Sequence, residues 1–142
     1  MTKLEDSFMK VVLDTNVYIS AIIIGGICEK VLEEIRKRDI KILISPDIVN
    51  EISKVLKEKF LWNDLMIGTA IYDILQRAIL ITPTSKVSVI KEKKEDNLIL
   101  ECALEGEAHF IISGDKKHIL PLKQFRKIKI ISPKDFLKML IS

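Results

Sequence analysis

Five short runs of apolar residues recur along the chain. Each run is continuous rather than alternating, which is typical of strands that are buried on both faces of a parallel sheet. The predicted strands are residues 11–13, 42–44, 79–81, 110–112 and 128–131. Because helical stretches separate these runs, the pattern predicts an α/β domain with helices on both faces of a parallel sheet.

Two Ser-Pro pairs, at 45–46 and 132–133, mark predicted helix starts. A serine can cap a helix whose first position is proline, so each pair fits a helix N-terminus. The long segment between the second and third strands holds two predicted helices, at 46–60 and 62–77. Residues 83–94 then form a polar, partly basic loop. No repeat, low-complexity tract or linker indicates a second domain.

Composition excludes some classes of protein and identifies none. The chain has 142 residues, of which 48% are hydrophobic, and 23 Lys and Arg against 20 Asp and Glu give a net charge of +3. This length suits one domain with an aliphatic core, so disorder and a disulfide scaffold do not fit. A charge of +3 is too small to identify a nucleic-acid partner. Cys28 and Cys102 have no second ligand at metal spacing, so we expect them to be small buried residues.

The chain shows no pattern of a membrane or exported protein. Its longest apolar run, around 19–24, is interrupted by Ser20 and is far shorter than the ~20 residues that a membrane span needs. The first eight residues lack the basic start, apolar block and cleavage site of a secretory signal. We therefore expect a cytoplasmic protein without a membrane partner.

Two acids come directly after predicted strands. Asp14 follows the first strand, and Asp115 follows the fourth strand through a Ser113-Gly114 turn. In open parallel sheets the active crevice lies beyond the carboxyl ends of the strands, at the point where the strand order reverses. If these two strands are neighbours at that point, both carboxylates face one crevice.

Two further acids lie on predicted helices. Glu51 falls at the border of an apolar stripe and could reach inward or stay in solvent. At helical spacing, Asp96 lies on the same side of its predicted helix as the apolar residues Ile99 and Leu100. It is therefore an inward-facing acid that needs a partner. Each acid alone also fits an ordinary role as a cap, a turn residue or a solvated side chain. Converging carboxylates, in contrast, raise one another's pKa unless a cation neutralises them. Oxygen ligands of this kind suit Mg²⁺ or Mn²⁺.

Four segments, 11–17, 45–51, 96–103 and 111–116, together resemble the PIN domain family. The resemblance covers residues 9–140 and is greatest to proteins related to the VapC ribonuclease toxins of toxin-antitoxin systems. It implies a three-layer α/β/α sandwich whose five parallel strands have the order 3-2-1-4-5. That order makes the strands before the two acids neighbours, in agreement with the crevice argument. We expect one PIN domain over 9–142, with 1–8 as an N-terminal extension.

The resemblance also implies roles for individual residues. The positions that match the acidic metal ligands of the family are Asp14, Glu51, Asp96 and Asp115, and those that match its supporting polar residues are Asn16 and Ser113. The implied activity is hydrolysis of RNA phosphodiester bonds with Mg²⁺ or Mn²⁺, in a two-metal form with ions about 3.5–4 Å apart. The implied partners are RNA, a second copy of the chain, and an antitoxin bound to the apolar surface near residues 62–72.

Lysines replace acids at two positions of the family pattern, Lys93 and Lys117. Both substitutions bring positive charge near the expected site, and they are the basis for an alternative function as a weak or inactive PIN-fold module that binds RNA or protein. The presence of all four acids argues against this alternative. Lys116, Lys117 and Lys123 are candidate RNA contacts, and a solvated charged face is the ordinary interpretation of such residues. His118 could contact RNA, but its ordinary interpretation is a surface or capping histidine. A rival enzyme class forms an aspartyl-phosphate, but phosphatases of that kind carry a second Asp where this chain has Asn16.

Overall fold

The computed structural model describes residues 8–88, 90 and 94–141, without the side chains of residues 94 and 95. The strands are β1 (Lys10–Leu13), β2 (Lys41–Ile44), β3 (Ala78–Leu80), β4 (Phe110–Ile112), β5 (Gln124–Phe125) and β6 (Ile128–Ile131). The helices are α1 (Thr15–Ile23), α2 (Gly26–Lys37), α3 (Pro46–Glu58), α4 (Asp64–Leu75), α5 (Lys94–Glu105) and α6 (Pro133–Ile141), with a 3₁₀ turn at Leu120–Leu122. Of the expected N-terminal extension, residues 1–7 lie outside the described residues, and the domain boundary at residue 9 stays a prediction.

The strands form one sheet in the order β3-β2-β1-β4-β6-β5. The five longer strands are parallel and confirm the predicted order 3-2-1-4-5. The sheet differs from the prediction by one strand, because β5 pairs antiparallel with β6 at its edge. A strand of two residues, Gln124 and Phe125, carries no apolar run from which it could be predicted.

The core covers both faces of the central strands. Val11, Val12 and Leu13 of β1 are fully buried, as a continuous apolar run in a parallel sheet requires. Helix α3 packs against α1, α4 and α5, whereas α2 packs against α1 and α6. The three-layer α/β arrangement predicted from the sequence is therefore confirmed. Cys28 and Cys102 are free thiols buried within it, as expected.

Side-chain caps fix the starts of three helices. The Ser45 hydroxyl accepts a hydrogen bond from the N–H of Ile48 at 3.2 Å, and the Ser132 hydroxyl accepts one from Asp135 at 3.1 Å. Both predicted helix starts are thereby confirmed. The Asn63 side chain caps α4 in the same way, so this helix begins two residues later than predicted.

Within the described residues, no single helix has the length and apolar character needed to cross a membrane. Helices α1 and α2 pass that test only as a pair, and they are bent by 106° at the break between Ile23 and Gly26.

Candidate active site

Asp14 lies buried where β1 ends and α1 begins. Its backbone N–H donates to the carbonyl of Ile112, the last residue of the neighbouring strand β4, at 2.9 Å. The register pairs Leu13 with Ile112, so the residues that follow both strands emerge at one edge of the sheet. Asp14 is only 4% exposed, which makes it one of the few charged residues inside the fold.

The hydroxyl of Ser113 connects the two acids that follow β1 and β4. It donates to Oδ2 of Asp14 at 2.7 Å and accepts from the backbone N–H of Asp115 at 3.0 Å. Ser113 is fully buried, so its hydroxyl lies out of water. One side chain therefore fixes the position of Asp14 and the start of the turn that carries Asp115.

Burial raises the pKa of Asp14 above its ordinary value, because a charged carboxylate loses its hydration there. The hydrogen bond from Ser113 acts in the opposite direction, and the nearby carboxylate of Asp115 raises the pKa further. The nearby backbone N–H groups of Thr15 and Asn16 also lower it. A buried carboxylate beside a second carboxylate is an arrangement that a bound cation would stabilise.

The carboxylate of Asp115 is held by the turn that follows it. Its Oδ1 accepts from the backbone N–H groups of Lys117 at 2.9 Å and His118 at 3.1 Å. Its backbone carbonyl accepts from the N–H of Leu120 at 2.9 Å. These bonds fold residues 115–120 back on themselves and leave Oδ2 of Asp115 facing the imidazole of His118.

His118 and Asp96 complete a cluster with Asp115. Nδ1 of His118 lies 3.7 Å from Oδ2 of Asp115 and 3.9 Å from Oδ2 of Asp96. Asp96 is a buried residue on the first turn of α5, inside the helix rather than at a cap. One ligand atom from each residue lies within 4.8 Å of the others, so the three could hold a metal ion. The inward direction predicted for Asp96 is confirmed.

The surface role expected for His118 is wrong, because its side chain is only 12% exposed. The sequence gives one indication of where His118 lies, because His118 comes three residues after Asp115 in a tight turn. Pattern reasoning from apolar runs has no means to detect such a turn. The side-chain placement follows from the hydrogen bonds to Asp115.

Glu51 is half-buried on α3, the helix that packs against α5. It does not belong to the cluster of Asp96, Asp115 and His118 that the described side chains form. Asn16 is exposed on the first turn of α1. The structure thus joins Asp14 to Asp115 through Ser113 and places Asp115 beside Asp96 and His118, whereas Asp14 lies outside that three-residue cluster. The functional roles expected for all of these residues stay predictions.

The expected RNA-contacting lysines are Lys116, Lys117 and Lys123, and all three are exposed. Two of them, Lys116 and Lys117, lie in the turn directly after Asp115. Lys93, where the family pattern has an acid, lies outside the described residues.

The chain is similar to one protein family and to several known proteins. A sequence model of the PIN domain matches residues 10–117. An uncharacterized protein of Methanocaldococcus jannaschii is 33% identical over an alignment of 151 positions, which covers 97% of this chain and 96% of the relative.

Two solved structures share the fold. VapBC2 from Rickettsia felis, bound to a DNA fragment from its promoter, superposes with a TM-score of 0.65 and 19% identity over 87% of this chain and 98% of the other. DNA-bound VapBC from Salmonella typhimurium gives a TM-score of 0.65 and 13% identity over 89% and 99% of the two chains. At these identities the likeness concerns the fold alone.

Proposed function

This chain belongs to the PIN domain family, and we propose that it is a divalent-metal-dependent endoribonuclease that hydrolyses RNA phosphodiester bonds. The observation that carries this proposal is the buried Asp14 and the partly buried Asp115, joined by the hydroxyl of Ser113 at the carboxyl ends of two neighbouring strands. Asp115, Asp96 and His118 form a group that could hold a metal, and Asp14 lies beside Asp115 but outside this group. We expect the enzyme to act on cytoplasmic RNA.

The donors at this site fit a hard divalent cation. Carboxylate oxygens are the ligands that Mg²⁺ and Mn²⁺ prefer, and we assign Asp14, Asp96 and Asp115 as the residues that hold the ion. Glu51 would bind directly or through water, and Asn16 would orient the ligands together with Ser113. In such sites Mg²⁺ or Mn²⁺ stabilises the negative charge that develops on the phosphate oxygens.

The test is RNA cleavage by the wild type and by an Asp14→Asn/Asp115→Asn double variant, both freed of metal with chelator. The substrate is a pool of structured and single-stranded RNAs, and Mn²⁺ or Mg²⁺ is then restored. We expect cleavage by the wild type alone and only after metal is added. If the folded wild type cleaves nothing under any condition, the alternative of a binding module that has lost turnover is favoured.

Substitution of Ser113 by alanine is expected to weaken metal binding by about 10- to 100-fold, the usual effect of losing a residue that orients a ligand. The reason is that Asp14 would lose its hydrogen bond and the Asp115 N–H would lose its acceptor. Titration of Mn²⁺ by isothermal calorimetry measures this change. Ser113→Thr, which keeps the hydroxyl, is the matched control, and equal affinities for the alanine variant and the wild type would contradict the role.

The exposed lysines beside Asp115 are expected to contact RNA phosphates. The test variant carries alanine at Lys116, Lys117 and Lys123, and the control variant carries alanine at the exposed Lys30, Lys134 and Lys138. On single-stranded RNA, each lost phosphate contact reduces the steepness of the plot of log binding constant against log salt concentration by about 0.7. The loss of three contacts in the test variant should therefore reduce this slope by about 2. Fluorescence anisotropy at several salt concentrations measures the slope. A test slope equal to that of the control variant would show that these lysines are only a solvated face.

We further assign this chain as the toxin of a toxin-antitoxin pair, because its fold matches that of VapBC chains. Helix α4 supports a protein partner, since Ile67 is its only buried residue. Its exposed apolar side chains include Leu65, at 80%, and Tyr72, at 66%, which lie two helical turns apart on one face. Apolar surfaces of this kind mark interaction sites, and we place the antitoxin there.

We expect the isolated chain to be a homodimer. The mass in solution of a variant with a changed α4 surface tests whether α4 forms the dimer contact. We expect the Leu65→Lys/Tyr72→Lys variant to stay folded and dimeric by light scattering and circular dichroism, which leaves the α4 face available to an antitoxin. Dissociation of the variant into monomers would place the dimer contact on α4 and overturn this assignment of the antitoxin surface.

A further inference from the structure

We infer that His118 supplies an imidazole nitrogen to the metal site, and that the site therefore prefers Mn²⁺ to Mg²⁺. This inference rests on the metal-dependent function proposed above and names a ligand beyond the four acids. Its basis is the position of Nδ1 of His118 between Asp96 and Asp115.

The separations are compatible with three ligand atoms of one ion. Nδ1 lies 3.7 and 3.9 Å from the two carboxylate oxygens, which is longer than the ~3.2 Å limit of a good N–H···O bond. With metal-ligand distances of about 2.1 Å, neighbouring ligand atoms of an octahedral ion lie ~3.0 Å apart and opposite ones ~4.2 Å apart. Both observed separations fall between these values. A single ion could therefore bind all three atoms after small side-chain rotations.

The backbone holds the imidazole at this position. The N–H of His118 donates to Oδ1 of Asp115, so the main chain of one ligand is fixed by the carboxylate of the other. The neighbouring Ile119 is fully buried, which anchors the turn to the core. Only 12% of the side chain is exposed, so the imidazole lies mostly within the fold beside the two acids. An ion bound there would meet a ligand already in position.

A nitrogen ligand changes which metal the site favours. Mg²⁺ prefers oxygen ligands in octahedral geometry and gives up its water reluctantly. Imidazole suits first-row transition metals such as Zn²⁺ and Fe²⁺, and Mn²⁺, a first-row ion that also binds carboxylates, lies between these metals and Mg²⁺. Replacing the nitrogen with an oxygen should therefore weaken Mn²⁺ binding and leave Mg²⁺ binding nearly unchanged.

The chain offers a clean spectroscopic test because it contains two histidines, His109 and His118. His118→Asn places an amide oxygen near the position of Nδ1, so it changes the ligand atom while keeping a polar side chain. His109→Asn is the matched control, since His109 lies at the opposite end of β4, where its Nδ1 accepts from the backbone of Lys10. The probe is Mn²⁺ alone at pH 8, where an ordinary imidazole is neutral.

Electron spin-echo spectroscopy of bound Mn²⁺ detects a directly coordinated imidazole by its ¹⁴N modulation. We expect this modulation in the wild type and in the His109 variant, and its loss in His118→Asn. Calorimetric titrations should show that His118→Asn binds Mn²⁺ at least about tenfold more weakly while Mg²⁺ affinity changes by less than about twofold. The ratio of the two affinities is the second readout, and it does not depend on RNA cleavage.

The outcomes separate this inference from the proposed function. Mn²⁺ binding by the wild type without ¹⁴N modulation would overturn the role of His118 and leave the carboxylate site standing. Equal Mn²⁺ to Mg²⁺ ratios in the wild type and His118→Asn would overturn it in the same way. If the folded wild type binds neither ion at millimolar concentration, the metal site and the inference fail together.

Discussion

Replacement of Asp115 by asparagine is expected to slow metal-dependent RNA cleavage by about 10³-fold. Metal stabilisation of a phosphate is worth several kcal/mol, and about 1.4 kcal/mol corresponds to a factor of ten in rate. An asparagine oxygen can still accept from the N–H groups of Lys117 and His118, so the turn should keep its shape. Single-turnover cleavage at saturating Mn²⁺ measures the effect. Activity within tenfold of the wild type would remove Asp115 from the site.

Glu51 provides an internal comparison, because it is assigned to the same metal but lies outside the cluster that the described side chains form. We expect Glu51→Gln to slow cleavage by only about tenfold, as for a ligand that acts through water. Glu58→Gln, at an exposed position near the end of the same helix, is the matched control and should leave the rate unchanged. A loss equal to that of Asp115→Asn would mean that Glu51 binds the ion directly.

The sheet could be predicted from the sequence because its central strands are buried on both faces. A parallel strand between two helical layers must be apolar at every position, so residues such as Val11 and Val12 form an uninterrupted run. The helix starts at Ser45 and Ser132 follow from local hydrogen bonds, which the residue type alone indicates.

The polar face of α5 could not be predicted in the same way. Glu101 belongs to a polar stripe that suggests solvent, yet it is buried and accepts from the backbone N–H of Val87 at 2.9 Å. Asn97 is also buried, and it bonds in both directions with the backbone of Ile90. These side chains satisfy the backbone of the preceding loop. The spacing of apolar residues along a helix does not distinguish a polar residue that is buried in this way from one that faces solvent.

The site was predictable where it depends on the sheet and unpredictable where it depends on a turn. Asp14 and Asp115 follow neighbouring strands, so topology alone brings them to one edge. His118 reaches the cluster through hydrogen bonds within its turn, which no apolar pattern reveals. The direction of Glu51 at a stripe border was open in the sequence, and its half-buried position in the structure agrees with that borderline pattern.

Asp14→Asn is expected to stabilise the metal-free protein at pH 8 while abolishing its response to metal. The pKa of Asp14 is raised in the folded state above its ordinary value of 3.8, mainly by burial. The carboxylate of Asp14 therefore binds a proton more tightly in the folded protein than in the unfolded chain. Keeping Asp14 ionised therefore costs stability at every pH above the raised pKa. Asparagine removes the buried charge and its repulsion with Asp115, and its oxygen still accepts from Ser113.

Because folding raises the pKa of Asp14, the stability difference between Asp14→Asn and the wild type changes with pH in a definite direction. In chelator at pH 8 we expect the variant to melt at least ~3 °C above the wild type, the shift that about 1 kcal/mol produces at this chain length. The difference should shrink as the pH falls through the raised pKa and disappear below the ordinary value of 3.8, where Asp14 is protonated in both states. Asp135→Asn, at an exposed acid, is the matched control and should show neither change.

Metal should reverse the order of the two melting temperatures. An ion at 100 times its dissociation constant stabilises the folded state by ~2.7 kcal/mol, so Mn²⁺ should raise the wild type above the variant, which has lost a ligand. Thermal melts with chelator and with Mn²⁺ measure both halves of the prediction. A variant less stable than the wild type in chelator would mean that the charge of Asp14 is compensated within the fold. The two carboxylates would then need no cation, and the physical argument for a metal at this edge of the sheet would fail.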